Sequence, residues 1–254
     1  MQLKKCHAVV TGGGSGIGAA IACALSDAGA SVTLVGRRRA ALEAVAATLS
    51  GPFHLAPADV SDRPSVDAAF AAAREAMGPI TILINNAGVA PSGPFAKASL
   101  DDWRAAMGVN LDALFHCCQA ALPDLLAADA GRIITIASTA GVKGYAYTAP
   151  YVASKHGAVG LMRALATEYA TTGLTANAVC PGFTDTDIVA HAVDNIQAKT
   201  GRSAQEARAE LARFNPQKRL IEPKEVAETV LWLCQASSRS ITGQAIMVAG
   251  GEVM

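Results

Sequence analysis

Short runs of β-branched and aliphatic residues alternate with long alanine-rich stretches from one end of this chain to the other. The runs fall at 8–10, 31–35, 53–55, 82–84, 133–136, 175–179 and 244–248. They are too continuously apolar to have a wet face, so each predicts a strand buried on both sides. The stretches between them, at about 16–29, 39–49, 64–77, 100–127, 150–172 and 223–236, hold few Gly or Pro residues and are long enough for helices of several turns. Regular alternation of this kind predicts a seven-stranded parallel sheet with helices on both faces, a doubly wound α/β fold. In such a sheet the first three strand–helix units build one half and the next three the other, and ligands bind at the carboxyl ends of the strands. The polar stretch at about 184–219 breaks the rhythm and reads as a helical insertion into a single domain, 1–254.

Charge narrows the partners. The 21 basic residues are balanced by 21 acidic ones with no sustained Lys/Arg block, so nothing attracts nucleic acid or an anionic membrane. Although 51% of residues are hydrophobic, no run approaches the ~18 uninterrupted apolar residues that a bilayer span needs. The start, Met1-Gln2-Leu3-Lys4-Lys5, leads into too short an apolar stretch for a secretory signal, which predicts a cytoplasmic protein. Cys6, Cys23, Cys117, Cys118, Cys180 and Cys234 lack the spacing of zinc or redox motifs and read as small buried apolar side chains. His7, His54, His116 and His191 show no metal-ligand pairing, so no metal site is expected.

Immediately after the first predicted strand comes Thr11-Gly12-Gly13-Gly14-Ser15-Gly16-Ile17-Gly18, opening into an apolar-periodic helix. Glycines here let the chain turn tightly, bring backbone amides to a pyrophosphate and pack the helix on the sheet. Gly12, Gly14, Ser15, Gly16, Ile17 and Gly18 are therefore candidate cofactor-binding residues. The second strand ends in Arg37-Arg38-Arg39, where an NAD site would place an acidic residue. Arg37, with Arg38 beside it, offers a guanidinium fork for the 2′-phosphate of NADP(H). Simple solvation of the next helix start also explains the three arginines, and NAD(H) stays possible. Asp59 and Val60 follow the third strand, placed for an adenine ring, although Asp59 could equally cap a helix that has its own candidate in Asp62. Asn86, Ala87 and Gly88 follow the fourth, where small residues let the backbone lie against a cofactor, with Asn85 as a brace.

Ser138 follows the fifth strand, and Tyr151 and Lys155 stand at i and i+4, on one side of a single helix. A phenol ordinarily near pKa ~10 becomes a usable acid and base if a neighbouring ammonium, here Lys155, and the positive nicotinamide ring of an oxidised cofactor lower it. Tyr151 would then protonate a carbonyl oxygen that Ser138 holds as hydride arrives at carbon. His156 points away from that side of the helix and reads as structural.

The set Thr11–Gly18, Asn85-Asn86-Ala87-Gly88, Asn110, Ser138, Tyr151-x3-Lys155 and Pro181-Gly182 resembles the short-chain dehydrogenase/reductase family, in order and across nearly the whole chain. The resemblance implies a Rossmann-type domain and an oxidoreductase interconverting ketone and secondary alcohol. It implies that Lys155 also binds the nicotinamide ribose, and that Asn110 holds a water linking Lys155 to solvent. It further implies that Pro181, Gly182 and Thr184 meet the nicotinamide carboxamide, with Thr186 nearby. Asp185 and Asp187 read as caps of the insertion rather than as chemistry.

Residues 188–214 are the candidate substrate lid, carrying Lys199, Arg202, Arg208 and Arg213 interleaved with Asp194, Glu206 and Glu210. Those cations suit a phosphate or carboxylate, and a solvated helix pair suits them equally well. The stretches around Tyr151 and Cys180 look most like members acting on 3-oxoacyl thioesters, including aromatic-polyketide ketoreductases, and are similar also to 3-hydroxybutyrate dehydrogenases. The expected reaction is NADPH-linked reduction of a 3-oxoacyl thioester or related ketone. An NAD-linked catabolic dehydrogenase of 3-hydroxybutyrate is the alternative, and a non-catalytic dinucleotide-binding regulator a third reading. The segment 241–251 and the two longest predicted helices resemble the pairing surfaces of homotetrameric relatives.

Overall fold

The computed structural model describes residues 3–253, so Met1 and Gln2, which the reading of the amino terminus included, lie outside the described residues together with Met254. Strands β1 (His7–Thr11), β2 (Ser31–Gly36), β3 (Phe53–Pro57), β4 (Ile82–Asn85), β5 (Arg132–Ile136), β6 (Thr175–Pro181) and β7 (Ala245–Val248) form one sheet. Every neighbouring pair is parallel, and the order is β3-β2-β1-β4-β5-β6-β7. The order reverses between β1 and β4, which opens a crevice at their carboxyl ends. All seven strands overlap the predicted runs.

The helices are α1 (Gly16–Asp27), α2 (Arg39–Ala46), α3 (Arg63–Met77), α4 (Leu100–Met107), α5 (Ala113–Ala127), α6 (Ala149–Glu168), α7 (Asp187–Thr200), α8 (Ala204–Ala212) and α9 (Pro223–Cys234). Because side chains alternate along a strand, each strand feeds two cores. Val9, Leu83 and Ile133 pack with Phe70 of α3, Cys117 of α5 and Met162 of α6. Ala8, Val10, Ile84 and Ile134 pack on the other face with Ile21 and Leu25 of α1, Leu42 of α2 and Val230 of α9. Both faces are dry along β2, β1, β4, β5 and β6, but the edge strands depart from the expectation: β3 exposes Phe53 and Pro57, and β7 is half-buried throughout, because each has a neighbour on one side only.

Two further expectations need correction. The stretch 100–127 is not one helix: a π turn, Gly108–Asp112, separates α4 from α5 and carries Asn110. Cys6 and Cys23 are only half-buried, whereas Cys117, Cys118, Cys180 and Cys234 are buried as expected. The excursion at 184–219 holds α7 and α8, which close on a small core of their own, Val189, Val193, Ala207 and Leu211. A capping box between Ser203 and Glu206 starts α8, and Gly201 in the left-handed conformation ends α7. Among the described residues no helix is long and apolar enough to cross a membrane.

Phe70 is fully buried between α3 and the sheet. Phe70→Ala should lower unfolding free energy by about 3–5 kcal/mol, because a cavity remains where the ring was. Urea denaturation followed by circular dichroism checks this.

Candidate active site

The crevice begins with a clasp between β1 and β4. Thr11 Oγ1 accepts from the amides of Asn86 (3.0 Å) and Ala87 (3.1 Å), while Asn86 Nδ2 donates to the carbonyls of Thr11 and Gly12, both at 3.1 Å. The Asn86 side chain is thus a brace for the glycine loop, and only the backbone of 86–88 is left to face a cofactor. Asn85 is a second brace, reaching Cys118 Sγ and Thr135 Oγ1, both at 3.4 Å. Gly12 has φ +63°, and a β-carbon on Gly18 would collide with the Gly12 carbonyl oxygen, so neither position admits a larger residue without displacing the turn. Ser15 starts α1 without a side-chain capping bond, and the first turn carries no acidic residue. The opening amides of α1 therefore present an uncontested site for an anion.

Arg37 and Arg38 are exposed beyond β2, with Arg38 in the N-cap position of α2. Asp59 does not cap α3; Asp62 does, accepting from the Ser65 amide at 3.0 Å. Asp59 instead accepts from the Ser61 hydroxyl (2.6 Å) and amide (2.9 Å), which hold its carboxyl below the usual range, with Arg37 adding to the effect. Arg37 and Asp59 thus both lie at the β2–β3 end of the crevice, near enough for the guanidinium to act on the carboxyl. Val60 is only 7% exposed and packs into the core, which leaves little of its side chain for an adenine ring.

Ser138 leaves β5 into a short 3-10 turn, Thr139–Gly141, and its Oγ accepts from the Ala140 amide at 3.1 Å. Pro150 in the first turn of α6 sets the helix that carries Tyr151 and Lys155. Lys155 is 5% exposed, and its Nζ donates to the Ile136 carbonyl at the end of β5 (2.8 Å). It stands 5.8 Å from the centre of the Tyr151 ring. Burial pushes the Lys155 amine down to about 8.

Burial also pushes the Tyr151 phenol above its usual value, while the Ser138 hydroxyl pulls it the other way. In the chain alone, burial outweighs the lowering expected from Lys155. Desolvation disfavours the charged form of both groups. The phenol rests protonated, poised to donate.

Asn110 does not bond its own helix. Its Oδ1 accepts from the Val89 amide (2.9 Å), and its Nδ2 donates to the Val89 carbonyl (2.9 Å) and to Ser154 Oγ (3.0 Å). Ser154 in turn donates to the Tyr151 carbonyl at 2.8 Å. A β-carbon on Gly88 would lie 3.2 Å from Asn110 Oδ1 and 3.6 Å from Lys155 Nζ, so this segment closes directly over both. The π turn is what swings Asn110 inward from a helix that would otherwise run straight. Sequence reasoning does not single out Ser154 as a site residue, although its place three positions after Tyr151 puts it on the same helical side.

At the carboxyl end of β6, Gly182 donates its amide to the Val248 carbonyl (3.0 Å), and Thr184 Oγ1 donates to the Gly182 carbonyl (3.0 Å). Thr186 begins α7 and lies against the glycine loop: a β-carbon on Gly16 would be 3.0 Å from its Cγ2. Asp187 stands in the first turn of α7, but Asp185 pairs with Arg208 at 2.7 Å rather than capping. Arg202 and Arg213 both pair with Glu210, at 3.5 and 2.8 Å, and Lys199 sits in the last turn of α7. Three aromatic rings that sequence reasoning does not group, Tyr145, Phe183 and Phe214, meet between the Ser138 turn and the excursion, with centroids 5.4–6.2 Å apart. His156 bonds the Val152 carbonyl one turn back on α6, a local role as expected.

A family model described as short chain dehydrogenase matches residues 6–197. A Streptomyces coelicolor protein bearing the name ketoacyl reductase is 37% identical, with 96% of this chain and 95% of that one covered. The D-beta-hydroxybutyrate dehydrogenase of Rhizobium meliloti is 33% identical, covering 96% of this chain and 97% of its own. The crystal structure of a single-residue variant of actinorhodin polyketide ketoreductase with NADPH superposes with a TM-score of 0.92 at 35% identity, covering 97% of both chains.

The depressed Lys155 amine has a stability consequence whose sign is fixed. From about pH 8 up to its ordinary value of 10.5, the unfolded chain binds the proton that the folded chain has released. Stability contributed by this group therefore rises with pH across that window and is flat below it. The difference between wild type and Lys155→Met in denaturant unfolding, followed from neutral to alkaline pH, should show that rise in the wild type alone.

Proposed function

The chain belongs to the short-chain dehydrogenase family, and on that premise we propose that it is an NADPH-linked ketoreductase reducing a 3-oxoacyl thioester to its 3-hydroxyacyl form. The observation that carries the substrate class is the pairing of the arginines on the α7–α8 excursion. Arg208 is bound to Asp185, and Arg202 and Arg213 to Glu210, while the wall beside the Ser138 turn is aromatic. A free hydroxy acid asks for a fixed, unpaired cation at that place; an acyl thioester does not. This disfavours the 3-hydroxybutyrate reading despite the similarity to that enzyme.

The residues present fit the cofactor. The uncapped start of α1 and the glycine cradle suit the pyrophosphate, and Arg37 suits a 2′-phosphate. NADPH, when bound, supplies the hydride. Tyr151, held protonated by burial, donates its phenolic proton to the carbonyl oxygen. Ser138 orients that oxygen and stabilises the charge that develops on it. Lys155, fixed by the Ile136 carbonyl, holds the ribose and replaces the proton. Since both polar atoms of the Asn110 side chain are engaged by Val89 and Ser154, a relay water at Asn110 would be held by its main chain. Intact Ser138, Tyr151, Lys155 and Asn110 weigh against a regulatory protein without turnover. A cytoplasmic homotetramer, paired through α4–α6 and the carboxy-terminal segment, completes this reading; sedimentation at micromolar concentration showing a monomer would remove that part.

Initial rates with acetoacetyl-CoA, taken with NADPH and NADH at equal concentration, test the reading directly. NADPH should be preferred, and Arg37→Ala should reduce that preference about 10- to 100-fold, the worth of a charge-assisted contact. Preference for NADH would mean that Arg37 is merely solvated. Tyr151→Phe should lower turnover by about 100-fold or more while leaving the NADPH dissociation constant close to wild type.

A further inference from the structure

Near the end of the chain, Glu252 carries a carboxylate whose side chain is only 2% exposed. Its Oε1 accepts from Lys143 Nζ at 3.3 Å and from the Tyr145 hydroxyl. The Tyr145 hydroxyl also lies 2.6 Å from Thr139 Oγ1. A phenol has one hydrogen and a carboxylate can only accept, so Thr139 donates to Tyr145 and Tyr145 to Glu252. Burial and the adjacent carboxylate both keep the Tyr145 phenol protonated, in agreement with that direction. Glu252 Oε2 is buried and has no partner among the described residues, and a β-carbon on Gly182 would lie 3.1 Å from it.

These groups surround the substrate end of the crevice. Thr139 is next to Ser138, Gly182 begins the turn after β6, and Tyr145 forms the aromatic wall with Phe183 and Phe214. Lys143, 37% exposed, lies 4.9 Å from the centre of the Tyr145 ring. It is the cation nearest in sequence to Ser138 on this side. Left alone, it would attract any substrate carboxylate placed against the wall. The carboxylate of Glu252 cancels it: its single negative charge, shared by both oxygens, leaves no net cation there.

We propose that Glu252 is a specificity-determining residue: by masking Lys143 it leaves the site without the cation that a ketone bearing a free carboxylate would need, and so makes the site discriminate against such ketones. The inference rests on the ketoreductase reading and gives it a charge filter, located in a residue outside the catalytic set.

The test compares acetoacetate with methyl acetoacetate, two ketones that differ in charge and little in shape. Their binding to the NADPH complex of the Tyr151→Phe protein is read from the change in NADPH fluorescence, so neither probe is consumed. The ester should bind more tightly than the acid. Adding Glu252→Gln should narrow that gap by about tenfold or more through tighter acid binding, and adding Lys143→Met to that variant should reopen it. A merely structural role would move the affinities for both probes together and would not be reversed by the second substitution. A gap unchanged by Glu252→Gln, with unaltered Tm and NADPH affinity, overturns the proposal. Should that variant fail to fold, Lys143→Met alone, which leaves the Glu252 carboxylate without its cation, should widen the gap, and an unchanged gap overturns the proposal equally. Loss of acetoacetyl-CoA turnover in the wild type would sink the thioester reading without touching this comparison.

Discussion

The clasp between Thr11 and Asn86 is the constraint on which the rest of the crevice depends. Four hydrogen bonds of 3.0–3.1 Å tie the loop after β1 to the loop after β4, across the place where the strand order reverses. Without that tie the two loops would be free to part, since no ladder joins the chain beyond the strand ends. With it, the carbonyl of Gly12 is held so close to Gly18 that the start of α1 has a single position. The same loop after β4 continues to Gly88 and Val89, which Asn110 grips from the π turn. One polar network therefore runs from the anion-binding helix start to the wall beside Lys155.

Electrostatics at the catalytic end follow from burial more than from pairing. Lys155 and Tyr151 each lose hydration, and each is shifted toward its neutral form. A protonated phenol beside a buried amine is the resting state suited to reducing a ketone. Running the reaction in reverse requires the phenolate, and the chain alone does not favour it; positive charge brought by an oxidised cofactor would.

Much of this is legible in the sequence because its signals are local or periodic. Strands buried on both faces announce themselves as unbroken apolar runs, and the glycine loop and the Tyr151–Lys155 spacing each occupy a few consecutive residues. The π turn is hidden because Gly108–Asp112 lies inside a stretch whose composition suits a continuous helix. The aromatic wall and Glu252 are hidden for another reason: Tyr145, Phe183, Phe214 and Glu252 come from separate segments, and only the folded chain joins them. Likewise the rise in the Tyr151 phenol follows from burial, which residue spacing does not report. Asn86 shows a third kind of gap, since a motif names the residue but not whether its side chain or its backbone faces the ligand.

The helical excursion closes on Val189, Val193, Ala207 and Leu211, apart from the two cores that flank the sheet. Sites that share no neighbours contribute nearly independently to stability. On the ketoreductase reading, sequence drift in α7 and α8 would therefore reshape what the crevice admits while the sheet, the glycine loop and α6 keep their folding free energy. In evolutionary terms, the chain separates the part that must stay the same from the part that is free to diversify, so new substrates are reachable by steps that leave cofactor handling intact.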